Sequence, residues 1–133
     1  MIMVVFKHGL AFIRDGRLLA VKKKGLDVLL VPGGKPKPGE SFRDTLTREI
    51  NEELRGRVSE KSLEFFGTFK DMRPEKEELI HIELYLGQIH GSLKPSSEIE
   101  KLVWVDSRTD KSKLSPIFRN KILPALVQEG YVR

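Results

Sequence analysis

A single amphipathic helical segment lies between stretches that alternate like β-strands, and this arrangement most constrains the fold. The segment carries an apolar residue at every fourth position, namely Phe42, Leu46, Ile50 and Leu54. This spacing places all four side chains on one face of a helix. We therefore predict a helix over residues 41–55 that packs its apolar face on a sheet.

Both ends of this helix have recognisable signals. Ser41 is a predicted N-cap, and Asp44, three residues later, is placed to complete a capping box. Gly56 follows the last apolar position, where a glycine can adopt the left-handed conformation that closes a helix. We expect Gly56 to supply that C-terminal cap.

Strand patterns occur on both sides of the helix. Apolar runs over residues 4–14 and 17–23 are separated by Asp15-Gly16, a strong hairpin signal. Further strands are predicted at 28–31, 63–69, 80–86 and 101–105, and a closing helix at 116–128. Residues 32–40 are predicted to form a loop. Strands with one helix in the middle and one at the end predict an α+β fold, a mixed sheet packed between helices.

Length and composition exclude several classes of protein. The chain has 133 residues, 39% of them hydrophobic and 32% charged, which predicts one domain spanning residues 1–133. No apolar run approaches the ~20 residues that cross a bilayer, and the N-terminus does not resemble a secretory signal. Without cysteine there is no disulfide or thiolate chemistry. We expect a cytoplasmic protein without a membrane partner.

Three carboxylates share one face of the predicted helix. Glu49, Glu52 and Glu53 stand at positions i, i+3 and i+4, within an arc of about 100°. Because like charges at this spacing repel one another, a bound divalent cation such as Mg²⁺ would offset the cost. The alternative is an ordinary solvated face, which is the more frequent fate of an isolated acidic stripe.

The residues before the helix extend this acidic pattern into a longer motif. Gly34 is followed after five residues by Glu40, and seven further residues lead to Arg48-Glu49-Ile50-Asn51-Glu52-Glu53. This segment resembles the Nudix box, G-x5-E-x7-R-E-U-x-E-E-x-G-U, where U is aliphatic, and every specified position matches through Glu53. The last two specified positions differ, since Arg55 and Gly56 stand where the family has glycine and an aliphatic residue.

The resemblance implies a Nudix-type α/β/α sandwich and hydrolysis of a nucleoside diphosphate linked to another group, with Mg²⁺ or Mn²⁺ as the cofactor. Glu52 and Glu53 would bind the metal, and Glu49 would be a further ligand or the base that orients water. Arg48 would hold Glu49 or Glu40 in place. The carbonyl group of Gly33 would be a backbone metal ligand. Glu49, Arg48 and Glu53 are thus the predicted catalytic residues, while Gly34 and Glu40 are structural.

Residues outside the motif complete the predicted site. Lys23 and Lys35 resemble basic residues that contact substrate phosphates, and Glu98 resembles an accessory metal ligand. Phe118 and Asn120 lie where relatives contact the base. For each of these residues the alternative is an ordinary surface or core position.

The leading functional hypothesis is a MutT-like nucleoside triphosphate pyrophosphohydrolase with a small nucleotide as its substrate. Hydrolysis of ADP-ribose or another nucleotide sugar is the second reading, and hydrolysis of dinucleoside polyphosphates is the third. A non-catalytic basic module that binds nucleotides or nucleic acid is an alternative of another class, motivated by the net charge of +5. No basic and aromatic residues interleave as in an RNA-binding sheet, which argues against nucleic acid as a partner. We expect a monomer or a homodimer.

Overall fold

A computed structural model describes all residues of the chain, Met1–Arg133. It contains ten strands: β1 Met3–Ala11, β2 Ile13–Arg14, β3 Arg17–Lys23, β4 Leu29–Leu30, β5 Gly33–Gly34, β6 Arg57–Val58, β7 Glu64–Arg73, β8 Glu78–Leu86, β9 Ile89–His90 and β10 Ile99–Val105. Helix α1 spans Phe42–Leu54 and helix α2 spans Leu123–Gln128. Short 3₁₀ turns occur at Glu60–Ser62, Pro74–Lys76 and Lys111–Lys113.

Two four-stranded groups form the centre of the molecule. The first is a mixed sheet of order β5-β1-β8-β7, in which β1 and β8 are parallel and the other pairs are antiparallel. The second is antiparallel, with β10, β2 and β4 all pairing with β3. Strands β6 and β9 form a separate two-stranded ribbon.

The first predicted strand changes sheets part-way along its length. Residues 4–14 were expected to form one strand, but the chain leaves the mixed sheet at Phe12 and continues as β2 in the antiparallel sheet. The hairpin at Asp15-Gly16 is confirmed. Both residues have positive φ, 53° and 76°, as the tight turn between antiparallel strands requires.

Alternation along the central strands separates two apolar cores. On β3, Leu19 and Val21 pack in the core beneath α1, whereas Leu18 and Ala20 pack in the core beneath the closing helix. Because successive side chains of a strand point to opposite faces, each sheet residue contributes to one layer only. The α+β sandwich with a mixed sheet between helices is therefore confirmed.

Helix α1 matches its prediction at the N-terminus and differs at the C-terminus. Ser41 Oγ accepts from Asp44 N at 3.2 Å, and Asp44 Oδ2 accepts from Ser41 N at 3.1 Å, which is the expected capping box. The left-handed residue after the helix is Arg55, with φ 58°, and not Gly56. The expectation for Gly56 was wrong. That glycine serves close packing, because a Cβ there would lie 2.4 Å from Ile89 Cγ2.

Three short strands were not predicted from the sequence. Gly33-Gly34 was expected in a loop but forms β5, which pairs with His8 and Gly9 of β1. A Cβ on Gly33 would lie 2.1 Å from the His8 carbonyl oxygen, so this approach of two backbones needs a glycine. Strands β6 and β9 were also missed, since pairs of two-residue strands carry no periodicity.

The closing helix is confirmed over residues 116–128, with one irregularity. Pro116 begins the helical segment, Phe118–Ile122 forms a π-helical turn, and α2 continues from Leu123. Such turns in helices often lie at functional sites. None of the helices has the length and hydropathy needed to cross a lipid bilayer.

Candidate active site

Residues of the two sheets, of α1 and of the closing helix enclose a cavity of about 550 Å³. We call it the central cavity. Side chains and backbone from both sheets, from α1 and from the closing helix line it, including Lys7, Lys23, Gly33, Glu53, Asp71 and Phe118. Its volume lies within the ~300–1,000 Å³ of small-molecule sites.

A two-pronged ion pair ties the loop before α1 to the helix. Arg48 Nε donates to Glu40 Oε2 at 2.7 Å, and Arg48 Nη2 donates to Glu40 Oε1 at 2.8 Å. Glu40 also accepts from the backbone N–H of Lys37 at 2.8 Å and from Thr45 Oγ1 at 3.1 Å. These donors lower the pKa of Glu40 to about 2, with the Arg48 hydrogen bonds the largest cause. Glu40 therefore remains an anion that holds Arg48 in one orientation.

The same arginine positions Glu49. Arg48 Nη1 donates to Glu49 Oε1 at 2.8 Å, which turns the Glu49 carboxylate toward Gly34. A Cβ on Gly34 would lie 2.4 Å from Glu49 Cδ. Glycine at this position thus lets a carboxylate approach the backbone of Gly33-Gly34. We call these two residues the β5 bend.

Glu53 is the most buried carboxylate of the protein, with 1% of its surface exposed. Its Oε1 accepts from Gly33 N at 3.4 Å, while its Oε2 is buried without any hydrogen-bond partner. Burial, followed by the adjacent Glu49 carboxylate, raises the pKa of Glu53 to about 8. Glu53 therefore lies at the β5 end of the central cavity with a second acid, Glu49, beside it.

The other two predicted metal-ligating carboxylates lie farther out. The Glu52 side chain is 49% exposed, and its Oε2 lies 3.6 Å from Arg48 Nη1. Glu98 is exposed, and its Oε1 lies 3.8 Å from Lys23 Nζ. No three acidic or histidine side chains converge into a preformed metal cluster. The helix thus brings Glu49 and Glu53 together and leaves Glu52 beside them at the surface.

The residues at the β5 bend fit a hard divalent cation. An orphaned, buried carboxylate oxygen costs free energy unless a cation or a proton meets it, and Glu53 Oε2 is such an atom. The donor set of two adjacent carboxylates and nearby backbone oxygens is the oxygen-rich type that Mg²⁺ and Mn²⁺ prefer.

Only one of the two predicted phosphate-binding lysines lines the cavity. Lys23, at the end of β3, lines the cavity directly. Lys35 is exposed just after β5, and its carbonyl oxygen accepts from Arg48 Nη2 at 3.1 Å. The Arg48 network therefore fixes the backbone that carries Lys35.

The predicted base-contacting residues occupy different positions. Phe118 is 1% exposed and lines the central cavity from the π-helical turn. Asn120 is exposed and does not line the cavity, but its Nδ2 donates to Asp71 Oδ2 at 3.2 Å. Asp71, on β7, does line the cavity. Asn120 thus holds a residue of the cavity wall without lining the cavity itself.

Sequence reasoning missed six charged residues of the cavity, three of which lie on long strands: Lys7, Asp71 and Arg73. Lys7 stands on β1 and the other two on β7, strands that are distant in sequence and separated by β8 in the sheet. A charged residue that interrupts an apolar strand, as Lys7 does between Phe6 and Gly9-Leu10, is the one local signal that could have singled any of them out.

Comparison with known families decides the family of this chain. The sequence profile described as the NUDIX domain matches residues 9–125. The chain belongs to the Nudix family. It is a hydrolase of pyrophosphate bonds, and the match includes all of the motif at the β5 bend and helix α1. Divalent metal ions are the general cofactors of Nudix hydrolases.

Solved structures share the Nudix fold. The E. coli ORF135 protein is 23% identical, with a TM-score of 0.74 over 96% of this chain and 91% of that chain. A MutT NUDIX hydrolase from Burkholderia pseudomallei is 24% identical, with a TM-score of 0.73 over 95% and 98%. A bifunctional NMN adenylyltransferase/ADP ribose pyrophosphatase from Francisella tularensis, complexed with AMP and a Mn ion, is 15% identical, with a TM-score of 0.67 over 97% and 42%. None of the curated protein sequences compared with this chain is significantly similar to it.

Proposed function

We propose that this Nudix hydrolase is a MutT-like nucleoside triphosphate pyrophosphohydrolase that releases a nucleoside monophosphate and pyrophosphate with Mg²⁺ or Mn²⁺. The continuity of the central cavity carries the proposal. It joins Glu53, one of the paired acids at the β5 bend, to an apolar wall that contains Phe118, with Lys7 and Lys23 also in its lining. Such a cavity can hold a charged phosphate chain at one end and a flat base at the other.

The acids at the β5 bend would hold the cation. Glu53 offers its orphaned Oε2, Glu49 lies beside it, and the Gly33 carbonyl group would complete the inner ligands. Glu52 and Glu98, both exposed, would join as outer ligands. When bound, the cation would neutralise phosphate charge and lower the pKa of a coordinated water.

Arg48 and Glu40 would act through their neighbours. Arg48 holds Glu49 at 2.8 Å, so Glu49 keeps one orientation whether it serves as a ligand or as the base that orients water. Glu40 fixes Arg48 through two short hydrogen bonds. Gly34 leaves the space that Glu49 occupies.

The substrate would lie along the cavity. Lys23 and Lys35 would bind phosphate oxygens near the β5 bend. Phe118 would pack against the base, and Asn120 would contribute by holding Asp71, whose carboxylate faces the cavity. Carboxylate oxygens accept hydrogen bonds from exocyclic amines and ring N–H groups of bases.

A hydrolysis screen separates the substrate classes. Nucleoside triphosphates, ADP-ribose, other nucleotide sugars and dinucleoside polyphosphates would be compared at equal concentration with Mg²⁺ and then with Mn²⁺. We expect the highest kcat/KM for a triphosphate, with the monophosphate and pyrophosphate as products. Faster cleavage of ADP-ribose, the substrate in the name of the Francisella relative, would make a nucleotide-sugar hydrolase the better assignment.

Substitution of Glu53 tests the metal-binding end. Glu53→Gln keeps an oxygen that can accept from Gly33 N, so the fold should survive. Loss of a metal-binding carboxylate should lower kcat by about a hundredfold or more. The control is Glu64→Gln, which makes the same change on the exposed surface of β7. Unchanged turnover in folded Glu53→Gln would contradict the role assigned to this residue.

The same experiments address the non-catalytic alternative. A nucleotide-binding or nucleic-acid-binding module would show affinity without turnover of any substrate in the screen, and Glu53→Gln would then change nothing. One catalytic domain over residues 1–133, a cytoplasmic location and a monomeric or homodimeric state belong to the proposal and are checked by limited proteolysis, cell fractionation and light scattering.

A further inference from the structure

Lys7 is a cation on a strand face that is otherwise apolar. It points to the same side of β1 as Val5, Gly9 and Ala11, which is the side of the closing-helix core. In the parallel pairing with β8 it stands opposite Ile82. A lysine in this place costs stability, because burial disfavours the charged amine.

No protein group compensates Lys7. Its pKa is lowered, first by burial and then by the neighbouring charges of Lys23, Lys35 and Arg73, and only Glu53 acts in the opposite sense. None of these influences is a hydrogen bond. By contrast, Lys23 lies 3.8 Å from Glu98, and Arg73 lies 3.6 Å from Glu78. Lys7 and Lys35 both lack an acidic partner, but Lys35 is exposed to solvent whereas Lys7 lines the cavity.

The charges around Lys7 identify the chemistry of the missing partner. Lys23 and Arg73 line the same partly enclosed cavity as Lys7, and the charge of Lys35 acts on it as well, so an anion there would relieve their mutual repulsion and pair with the free amine. A neutral oxygen of a nucleobase would accept one hydrogen bond from the amine but would leave the repulsion from Lys23, Lys35 and Arg73 unrelieved. The opposing carboxylate, Glu53, lies at the end of the cavity where the metal would bind.

We propose that the Lys7 ammonium group binds an anionic oxygen of the substrate's phosphate chain, in the cavity that Glu53 also lines. This inference rests on the proposed pyrophosphate-hydrolase site and adds a substrate-binding residue outside the Nudix motif. Lys7 holds the chain from the β1 side, and Lys23 and Lys35 hold it from the β3 and β5 sides. Burial of the Lys7 amine lowers the stability of the free protein, and the bound anion offsets this cost.

The test compares Lys7→Met, Lys7→Arg and Lys70→Met. Methionine keeps much of the apolar length without the charge, arginine keeps the charge, and Lys70 is an exposed lysine on β7 of the same sheet. Binding of inorganic pyrophosphate in the presence of Mg²⁺ is measured by calorimetry, and thermal unfolding is measured without ligand. Adenosine and guanosine serve as uncharged probes of the base end.

We expect Lys7→Met to weaken pyrophosphate binding by about tenfold, the usual size of a lost charge-assisted hydrogen bond. Lys7→Arg should recover part of this loss, and Lys70→Met should match the wild type. The melting temperature of free Lys7→Met should be at or above that of the wild type. Nucleoside binding should not change among the variants.

Three results would overturn the inference. One is equal pyrophosphate affinity in wild type and Lys7→Met, including absence of binding to both. Another is a loss of nucleoside affinity as large as the loss for pyrophosphate, which would place Lys7 at the base. The third is a lower melting temperature for Lys7→Met, which would make the amine structural. Pyrophosphate binding needs no turnover. A failed triphosphate screen would therefore contradict the proposed function, while the pyrophosphate affinities of the Lys7 variants would still test this inference.

Discussion

At the scale of single residues, the Glu40–Arg48 pair couples the geometry of the site to folding. Glu40 accepts four hydrogen bonds, from Lys37, Thr45 and twice from Arg48, and in the unfolded chain it would lose all of them. Its pKa therefore falls from 4.5 to about 2 on folding. The arginine oriented by this pair also holds Glu49, so the same bonds serve stability and the site.

The lowered pKa of Glu40 predicts how stability depends on pH. A carboxyl group whose pKa is depressed by folding stabilises the native state above its unfolded pKa of 4.5, and this contribution disappears as the pH falls toward 2. We expect Glu40→Gln to be less stable than the wild type at pH 7, with the difference closing between pH 4.5 and pH 2. Urea unfolding of both proteins across this range measures it, and a difference that persists at pH 2 would contradict the prediction.

The motif residues could be predicted from the sequence, but their burial could not. Spacing alone placed Glu49, Glu52 and Glu53 on one helix face, because helical geometry is local. Their separation into a buried Glu53, a positioned Glu49 and an exposed Glu52 depends on β5 passing over the helix. Lys7 shows the same limit. Its charge interrupts an apolar strand, but the neighbouring residues do not predict the cavity that it lines.

At the scale of elements, the end of α1 departs from what the local sequence favours. Arg55 adopts φ 58° and ψ 25°, a left-handed conformation, and its N–H donates to Asn51 O at 3.0 Å. A side chain in this conformation is strained against its own backbone. Gly56, the residue that could adopt it freely, is held in a narrow space between Ile89 and Leu93.

Glycine at position 55 should therefore stabilise the protein. Arg55→Gly relieves the left-handed strain, and after the entropy cost of glycine in the unfolded chain we expect a gain of about 0.5–1 kcal/mol. Arg57→Gly is the matched control, because Arg57 lies in β6 with an ordinary φ and should become less stable. Chemical denaturation measures both free energies of unfolding, and a loss at Arg55→Gly would refute the strain argument.

Elements with local signals were predictable and those made by distant pairing were not. The capping box of α1 and the Asp15-Gly16 hairpin follow from neighbouring residues, and both are confirmed. The sheet change at Phe12 and the pairing of β5 with β1 depend on backbones brought together by the whole fold. No pattern within the individual segments encodes such contacts.

At the scale of the whole molecule, the two cores support the two ends of the proposed substrate site. The core beneath α1 fixes the helix that carries Glu49 and Glu53, and the core beneath the closing helix fixes the wall that carries Phe118. Residues of both cores line the central cavity. Packing defects in the two cores should thus affect catalysis in different ways.

A pair of matched substitutions tests this division. Ile50 and Ile122 are both fully buried, but Ile50 belongs to the α1 core and Ile122 to the closing-helix core, where it also lines the cavity. Replacement of either by alanine should cost about 2–5 kcal/mol of stability.

We expect Ile122→Ala to raise KM for the substrate found in the screen with little change in kcat, because it loosens the wall proposed to receive the nucleobase. Ile50→Ala should instead lower kcat, because the helix that positions the acids is loosened. Steady-state kinetics at a temperature where both variants are folded distinguishes the cases, and equal effects on KM and kcat in the two variants would show that the cores do not divide the site in this way.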